Sequence, residues 1–161
     1  MNVRPVTDED RAVVDAFLDE RNAAVVARLD ELVDARSHPA LMAEVDGDLA
    51  GVLTYVVVGE AFEVLTLHAA VSWHGAGTAL LAEAERIALA EGCQRLWLIT
   101  TNDNVDALRF YQRRGFSLAR LHAGAVDRSR ATMKPQIPPT GDYGIPLRDE
   151  LELERWLFKP R

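Results

Sequence analysis

The spacing of apolar residues predicts a short strand at 3–6 and two helices before Pro39. Thr7 and Asp10 have the spacing of a capping box, which indicates a helix start. The residue before a proline avoids helical geometry, so Pro39 closes the helical part. The predicted buried stripes are Val13, Val14, Phe17 and Leu18 in the first helix, and Val25, Val26, Leu29, Leu32 and Val33 in the second.

The pattern changes after Pro39 to short runs rich in β-branched residues. Runs 40–45 and 49–58 flank Asp46-Gly47, which is typical of a tight hairpin turn. Run 62–69 is apolar on both of its alternating faces, as in a central strand. Further strands are predicted at 95–100, 116–121 and about 147–157. One helix is predicted between runs 62–69 and 95–100, and another between runs 95–100 and 116–121. We therefore expect an α/β (α+β) fold in a single domain, 1–161, with a mixed central sheet flanked by helices.

The last forty residues predict a long connection and one final strand. Residues 122–146 contain four prolines and predict an irregular loop after a core at about 3–121. In the final strand, leucines and glutamates alternate, which predicts a half-exposed strand with a solvated glutamate face. The two predicted faces are Leu151, Leu153 and Leu157, and Glu150, Glu152 and Glu154.

Composition narrows the classes of partner. The chain has 161 residues, 18 basic against 25 acidic, and a net charge of −7, so nucleic acid is not expected as a partner. No apolar run approaches a membrane span of about 20 residues, and the N-terminus lacks an apolar signal segment. The single Cys93 excludes an internal disulfide framework and a cysteine-based zinc site. We expect a cytoplasmic protein without a metal, in which Cys93 is a small buried side chain.

A glycine-opened helix follows the central strand. Gly75-Ala76-Gly77 lets the backbone approach a ligand, and the first N–H groups of the next helix then face an anion. The segment lacks the lysine of an ATP-binding loop, and Leu80 replaces the third glycine of a dinucleotide fold. Taken alone, this pattern favours a tight strand-to-helix turn without a ligand.

A second segment makes the pattern specific. Asn104, Ala107, Tyr111, Gly115 and Phe116 have the spacing Asn-x-x-Ala-x-x-x-Tyr-x-x-x-Gly-Phe. Together with the glycine-opened helix, this resembles the GCN5-related N-acetyltransferase (GNAT) family over about residues 3–121. In that family a Gln or Arg precedes the glycines, whereas this sequence has Ser72 there.

The resemblance implies acetyl-CoA as co-substrate and a primary amine as acceptor. The acceptor is a small molecule or a protein N-terminal or lysine amine, attacked directly in a ternary complex. Cofactor contacts are expected from Leu67, His68, Ala69, His74, Gly75, Ala76, Gly77, Thr78 and Asn104.

Tyr111 matches the position of the acid that protonates the leaving thiolate, and its ordinary pKa of about 10 is close to that of an alkyl thiol. Glu63 is the candidate base, on a face that it is expected to share with Leu65 and Leu67. His68 is an alternative base, and water is a third. Neither His38 nor His122 has a catalytic partner in the sequence. Arg114 fits a cation at a helix C-terminus.

Two other functions fit the same residues. The chain can be a non-catalytic acyl-CoA sensor on the same fold, which Ser72 favours and Tyr111 opposes. It can also be an interaction module that uses Trp156 and Phe158, residues that equally suit a homodimer contact.

Overall fold

The structure is a computed structural model that describes residues 1–70 and 75–158. Ser72 and His74, which the sequence singles out, lie outside the described residues. The chain forms two compact units. The first contains residues 1–26 and 34–96, and the second contains residues 27–33 and those from 97 onwards.

Nine strands and four helices lie in the described part of the chain. The strands are β1 (Asn2–Pro5), β2 (Val25–Arg28), β3 (Glu31–Asp34), β4 (Ala40–Val45), β5 (Asp48–Val58), β6 (Ala61–Ala69), β7 (Arg95–Thr101), β8 (Ser117–His122) and β9 (Glu150–Trp156). The helices are α1 (Arg11–Glu20), α2 (Ala76–Ala90), α3 (Val105–Gln112) and α4 (Ala125–Thr132). From β4 to β8, the predicted strands are confirmed to within one residue at each end.

The first unit contains β1, β4, β5 and β6 as antiparallel neighbours in that order. Helix α1 buries Val14, Phe17 and Leu18 in one cluster with Val52 of β5. The predicted capping box of Thr7 and Asp10 is present, and Cys93 is fully buried as expected. The predicted burial of Val13 is wrong, since this residue is 51% exposed.

The predicted second helix is wrong, because residues 25–34 form the β2–β3 hairpin. Leu29 and Asp30 form the turn of this hairpin, with φ of +50° and +62°. The second unit holds the turn in place. The carboxylate of Glu150 accepts the N–H of Leu29 at 2.9 Å, and Arg128 pairs with Asp30 at 3.2 Å. These contacts, from about a hundred residues away, override a local helical pattern.

The predicted glutamate face of the last strand is not solvated. Glu150 is 1% exposed and Glu152 is 8% exposed. Burial raises the pKa of Glu150 above its ordinary value. Glu152 lies 3.1 Å from Nε2 of His122, a structural partner that the sequence did not indicate. Alternation separates the two faces of a strand but does not show whether each face is covered, and in β9 both Glu152 and the adjacent Leu153 are buried.

The connection at 122–146 is not wholly irregular, since it contains α4. This helix is only two turns long and buries Ala125, Val126 and Ser129, so its apolar period is too short to detect. Its Arg130 donates to three carbonyl oxygens, those of Ile137, Pro138 and Leu147, at 2.7–2.9 Å. The loop is thereby anchored within its own unit.

Asp103 anchors the far end of the same loop. Its Oδ2 accepts the N–H of Asp142 at 2.9 Å, and a Cβ added to Gly141 would lie 2.0 Å from that oxygen. We expect Gly141→Ala to displace the loop and to lower the free energy of unfolding by about 2–3 kcal/mol. The melting temperature should fall by several degrees as a result. Thermal unfolding of Gly141→Ala, Asp103→Ala and the double variant checks this. If Gly141→Ala lowers the melting temperature equally in the parent and in the Asp103→Ala background, the clash with the Asp103 side chain is contradicted.

Candidate active site

Strand β6 contains a β-bulge at Leu65. Thr54 of β5 pairs with Thr66, and the next residue, Tyr55, pairs with Val64. Leu65 is therefore the extra residue, and it interrupts the alternation of faces along β6. Residues on the two sides of the bulge cannot be assigned to faces by counting along the sequence.

The bulge corrects the expected surroundings of Glu63. Directly paired residues of two antiparallel strands project from the same face of the sheet. Glu63 pairs with Val56 and Leu67 pairs with Leu53, three positions apart on β5. Glu63 and Leu67 therefore lie on opposite faces, and the predicted shared face is wrong.

The same register brings Glu63, Thr66 and His68 onto one face. Their partners on β5 are two positions apart in each step, and Thr66 shares a hydrogen bond of 2.6 Å with Thr54. Glu63 is only 3% exposed. Sequence reasoning singled out Glu63 and His68 but missed the two threonines, because only the bulge places all of them together.

His68 lies on the face that α1 covers. Burial lowers the pKa of His68, and the positive charge of Arg21 lowers it further. Arg21 follows the last residue of α1, donates to the carbonyl of Phe17 at 3.1 Å and stacks on its ring. The imidazole is therefore neutral at neutral pH.

Helix α2 begins at the predicted glycine turn. Gly75 has φ of +89° and is the N-cap, and the N–H of Ala79 makes the first intrahelical bond to its carbonyl at 3.0 Å. The N–H groups of Ala76 and Gly77 precede that bond, and the first turn contains no acidic side chain. Thr78 is exposed in the same turn. The positive end of the helix dipole is thus not neutralised by its own residues.

Gly51 allows α2 to pack closely on the other face of β5. Its added Cβ would lie 3.0 Å from the carbonyl oxygen of His68 and 3.0 Å from Leu80 of α2. Gly51 pairs with Ala69, so Ala69 lies on the face that α2 covers, opposite to Glu63. The glycine turn and the end of β6 therefore belong to one packed assembly inside the first unit.

In the second unit, Asn104 is the N-cap of α3, as predicted. Its Oδ1 accepts the N–H of Ala107 at 3.3 Å, and its Nδ2 donates to Oγ1 of Thr100 at 3.2 Å. These bonds fix the start of the helix that carries Tyr111. Arg114 lies two residues after the end of the same helix and donates to the carbonyl of Phe110 at 2.9 Å, which confirms the predicted cation near a helix C-terminus.

Tyr111 is 7% exposed and packs edge-on against Phe110 and Phe116, with ring centroids 5.1 and 5.3 Å away. Burial raises the pKa of its phenol well above the ordinary value. Burial thus moves the pKa of the Tyr111 phenol away from that of an alkyl thiol. The phenol therefore keeps its proton throughout the neutral range.

Tyr143 is a further residue that the sequence did not single out. It adopts φ of +58°, is 71% exposed and donates its hydroxyl proton to the carboxylate of Asp106 at 2.8 Å. Asp106 lies in the first turn of α3. The loop after α4 thus places an exposed ring beside the start of the helix that carries Tyr111. The Asp-Tyr-Gly turn sequence was the only local signal of this geometry.

Within the described ranges, no three His, Cys, Asp or Glu side chains are arranged to hold a metal ion. No helix among those residues is both long and apolar enough to cross a membrane.

Comparison with known proteins gives concordant matches. The sequence profile described as "Acetyltransferase (GNAT) family" matches residues 7–116. The uncharacterized protein YxbD of Bacillus subtilis (strain 168) is 44% identical over 112 residues, which cover 70% of each chain.

Solved structures match nearly the whole chain. An IAA acetyltransferase from Bacillus cereus ATCC 14579 aligns with a TM-score of 0.69 at 18% identity, over 97% of this chain and 99% of its own. A GNAT family acetyltransferase from Elizabethkingia anophelis, with acetyl-CoA bound, aligns with a TM-score of 0.67 at 18% identity, over 97% of both chains. These matches confirm the predicted fold class, a mixed sheet flanked by helices.

Proposed function

The chain belongs to the acetyltransferase (GNAT) family, and we propose that it transfers an acetyl group from acetyl-CoA to a primary amine by direct attack in a ternary complex. The observation that carries the proposal is the left-handed Gly75 turn, which opens α2 after the bulged strand β6. The acceptor is a small molecule or a protein N-terminal or lysine amine.

The start of α2 supplies the binding site for the pyrophosphate of acetyl-CoA. Backbone N–H groups from Gly75 to Thr78 face the anion, each hydrogen bond to a charged group contributing roughly 1.5–3 kcal/mol and the dipole roughly 0.3–1 kcal/mol. The family resemblance adds His74 and Asn104 as residues that contact acetyl-CoA. The acetyl-CoA bound to the Elizabethkingia anophelis protein supports the same co-substrate here.

Three sets of residues carry the chemistry. Glu63 removes the proton of the attacking amine, which must be neutral to react with the thioester. Backbone N–H groups at Leu67 to Ala69, at the end of β6, stabilise the tetrahedral oxyanion. Tyr111 then gives its phenolic proton to the leaving thiolate. The negative charge that develops on the sulfur makes it basic enough to accept this proton.

A thiol-release assay over a panel of amines, combined with calorimetric titration of acetyl-CoA, tests the function. We expect acetyl-CoA to bind and at least one amine in the panel to raise thiol release above the rate without amine. Binding without release for any amine would favour a non-catalytic acyl-CoA sensor. No binding at all would favour an interaction module, for which the exposed Trp156 and Phe158 supply apolar surface.

A further inference from the structure

A row of polar side chains follows one face of the β5–β6 pair in the first unit. The polar row consists of Glu63, Thr66 with its partner Thr54, and His68. Its members pair with residues of β5 that are two positions apart, about 6.6–7 Å along that strand, which is within reach of a direct hydrogen bond or one bridging water between the longer side chains. The hydroxyl pair lies between the carboxylate and the imidazole.

The polar row is buried except at its His68 end. Thr54 is 0% exposed, Thr66 is 6% exposed and Glu63 is 3% exposed, whereas His68 is only half-buried. A base so deeply buried cannot pass its proton directly to water, yet it must lose that proton before the next turnover. A polar path to a less buried group is therefore required.

We propose that Thr66 relays the proton from Glu63 to His68, and that Thr54 holds the Thr66 hydroxyl in position. The inference rests on the proposed acetyl transfer with Glu63 as the base. The neutral Glu63 carboxyl gives its proton to Oγ1 of Thr66 while Thr66 gives its own hydroxyl proton to a ring nitrogen of His68. Glu63 returns to the carboxylate, Thr66 keeps one proton, and His68 becomes an imidazolium that releases its proton to water.

The donor and acceptor capacities of these groups permit this sequence. A hydroxyl has one donor and two acceptor sites, so Thr66 can accept from Glu63 and from Thr54 while it donates to His68. The charged group acting on His68 from α1 is Arg21, which together with burial lowers the pKa of the imidazole. A neutral imidazole accepts the relayed proton, and its low proton affinity then favours release to water.

Kinetics of Thr66→Val and Thr66→Ser on the full chain test the relay. Valine keeps the shape of threonine without its hydroxyl, and serine keeps the hydroxyl. We expect Thr66→Val to lower kcat at least about tenfold and to leave the KM for acetyl-CoA unchanged, while Thr66→Ser stays within about threefold of the parent. Thr132→Val, on the exposed face of α4, is the matched control. Equal rates for Thr66→Val and Thr66→Ser would overturn the relay.

Two further measurements separate failure of the relay from failure of the proposed function. If Glu63→Gln loses activity while Thr66→Val keeps it, the assignment of Glu63 as the base is supported and the relay through Thr66 is wrong. If no amine is acetylated, the pH titration of the His68 ring by NMR still tests whether Thr66 and His68 are coupled. We expect the pKa of His68 to differ by roughly half a unit or more between Thr66→Val and the parent, because the polar row couples them. Identical titration of His68 in both proteins would overturn the relay.

Discussion

Gly75→Val is expected to abolish measurable binding of acetyl-CoA. Gly75 has φ of +89°, and no atom lies within 4 Å of an added Cβ, so valine has space but the wrong backbone preference. Relief of that strain rotates the turn and withdraws the first N–H groups of α2 from the pyrophosphate. Losing two hydrogen bonds to a charged group costs roughly 3–6 kcal/mol, more than a hundredfold in Kd. Calorimetric titration with acetyl-CoA measures the effect.

Gly47→Val is the matched control for this experiment. Gly47 has φ of +84° in the turn between β4 and β5, and its added Cβ also meets no atom within 4 Å. Both variants therefore carry the same backbone strain of roughly 1–2 kcal/mol and a similar loss of melting temperature. Only Gly75→Val should lose binding. If Gly75→Val titrates like the parent, the pyrophosphate binds elsewhere.

Tyr111→Phe is expected to reduce turnover about 10²-fold or more while acetyl-CoA affinity changes little. The substitution keeps the ring that packs against Phe110 and Phe116 and removes only the hydroxyl. Without the phenolic proton, the thiolate must leave unprotonated or take a proton from water, a loss of about 2.7 kcal/mol or more in transition-state stabilisation. Steady-state rates at saturating acetyl-CoA and amine measure it.

The pH dependence and the melting temperature separate an acid from a packing residue. Because burial raises the pKa of Tyr111, its deprotonation should not limit the rate anywhere below about pH 10. A packing role would lower the melting temperature of Tyr111→Phe and spare the rate per folded molecule. Turnover within a few-fold of the parent, with no pre-steady-state burst of thiol, would show that Tyr111 is not the acid.

Local chemistry made much of the fold predictable from sequence. The β-branched runs from residue 40 onwards, the Asp46-Gly47 turn and the Asn104 cap each have a short-range physical cause, and the structure has each of them where the pattern indicates. The glycine turn before α2 was equally accessible, since only glycine adopts its φ without strain. These features depend on neighbours within a few residues.

Tertiary contacts decided what those local rules could not. The hairpin at Leu29 and Asp30 replaced a predicted helix because Glu150 and Arg128 hold its turn. The burial of Glu150 is likewise a tertiary effect, which no alternation pattern identifies.

The same division holds in the candidate site. The sequence by itself determined which residues are candidates for the proposed chemistry, Glu63 and Tyr111 among them, because their spacing is a property of the chain. Which residues share a face with Glu63 was decided only in the folded strand pair. One extra residue at Leu65 reverses the side on which every later side chain of β6 projects, and such a bulge exists only in the pairing of two strands.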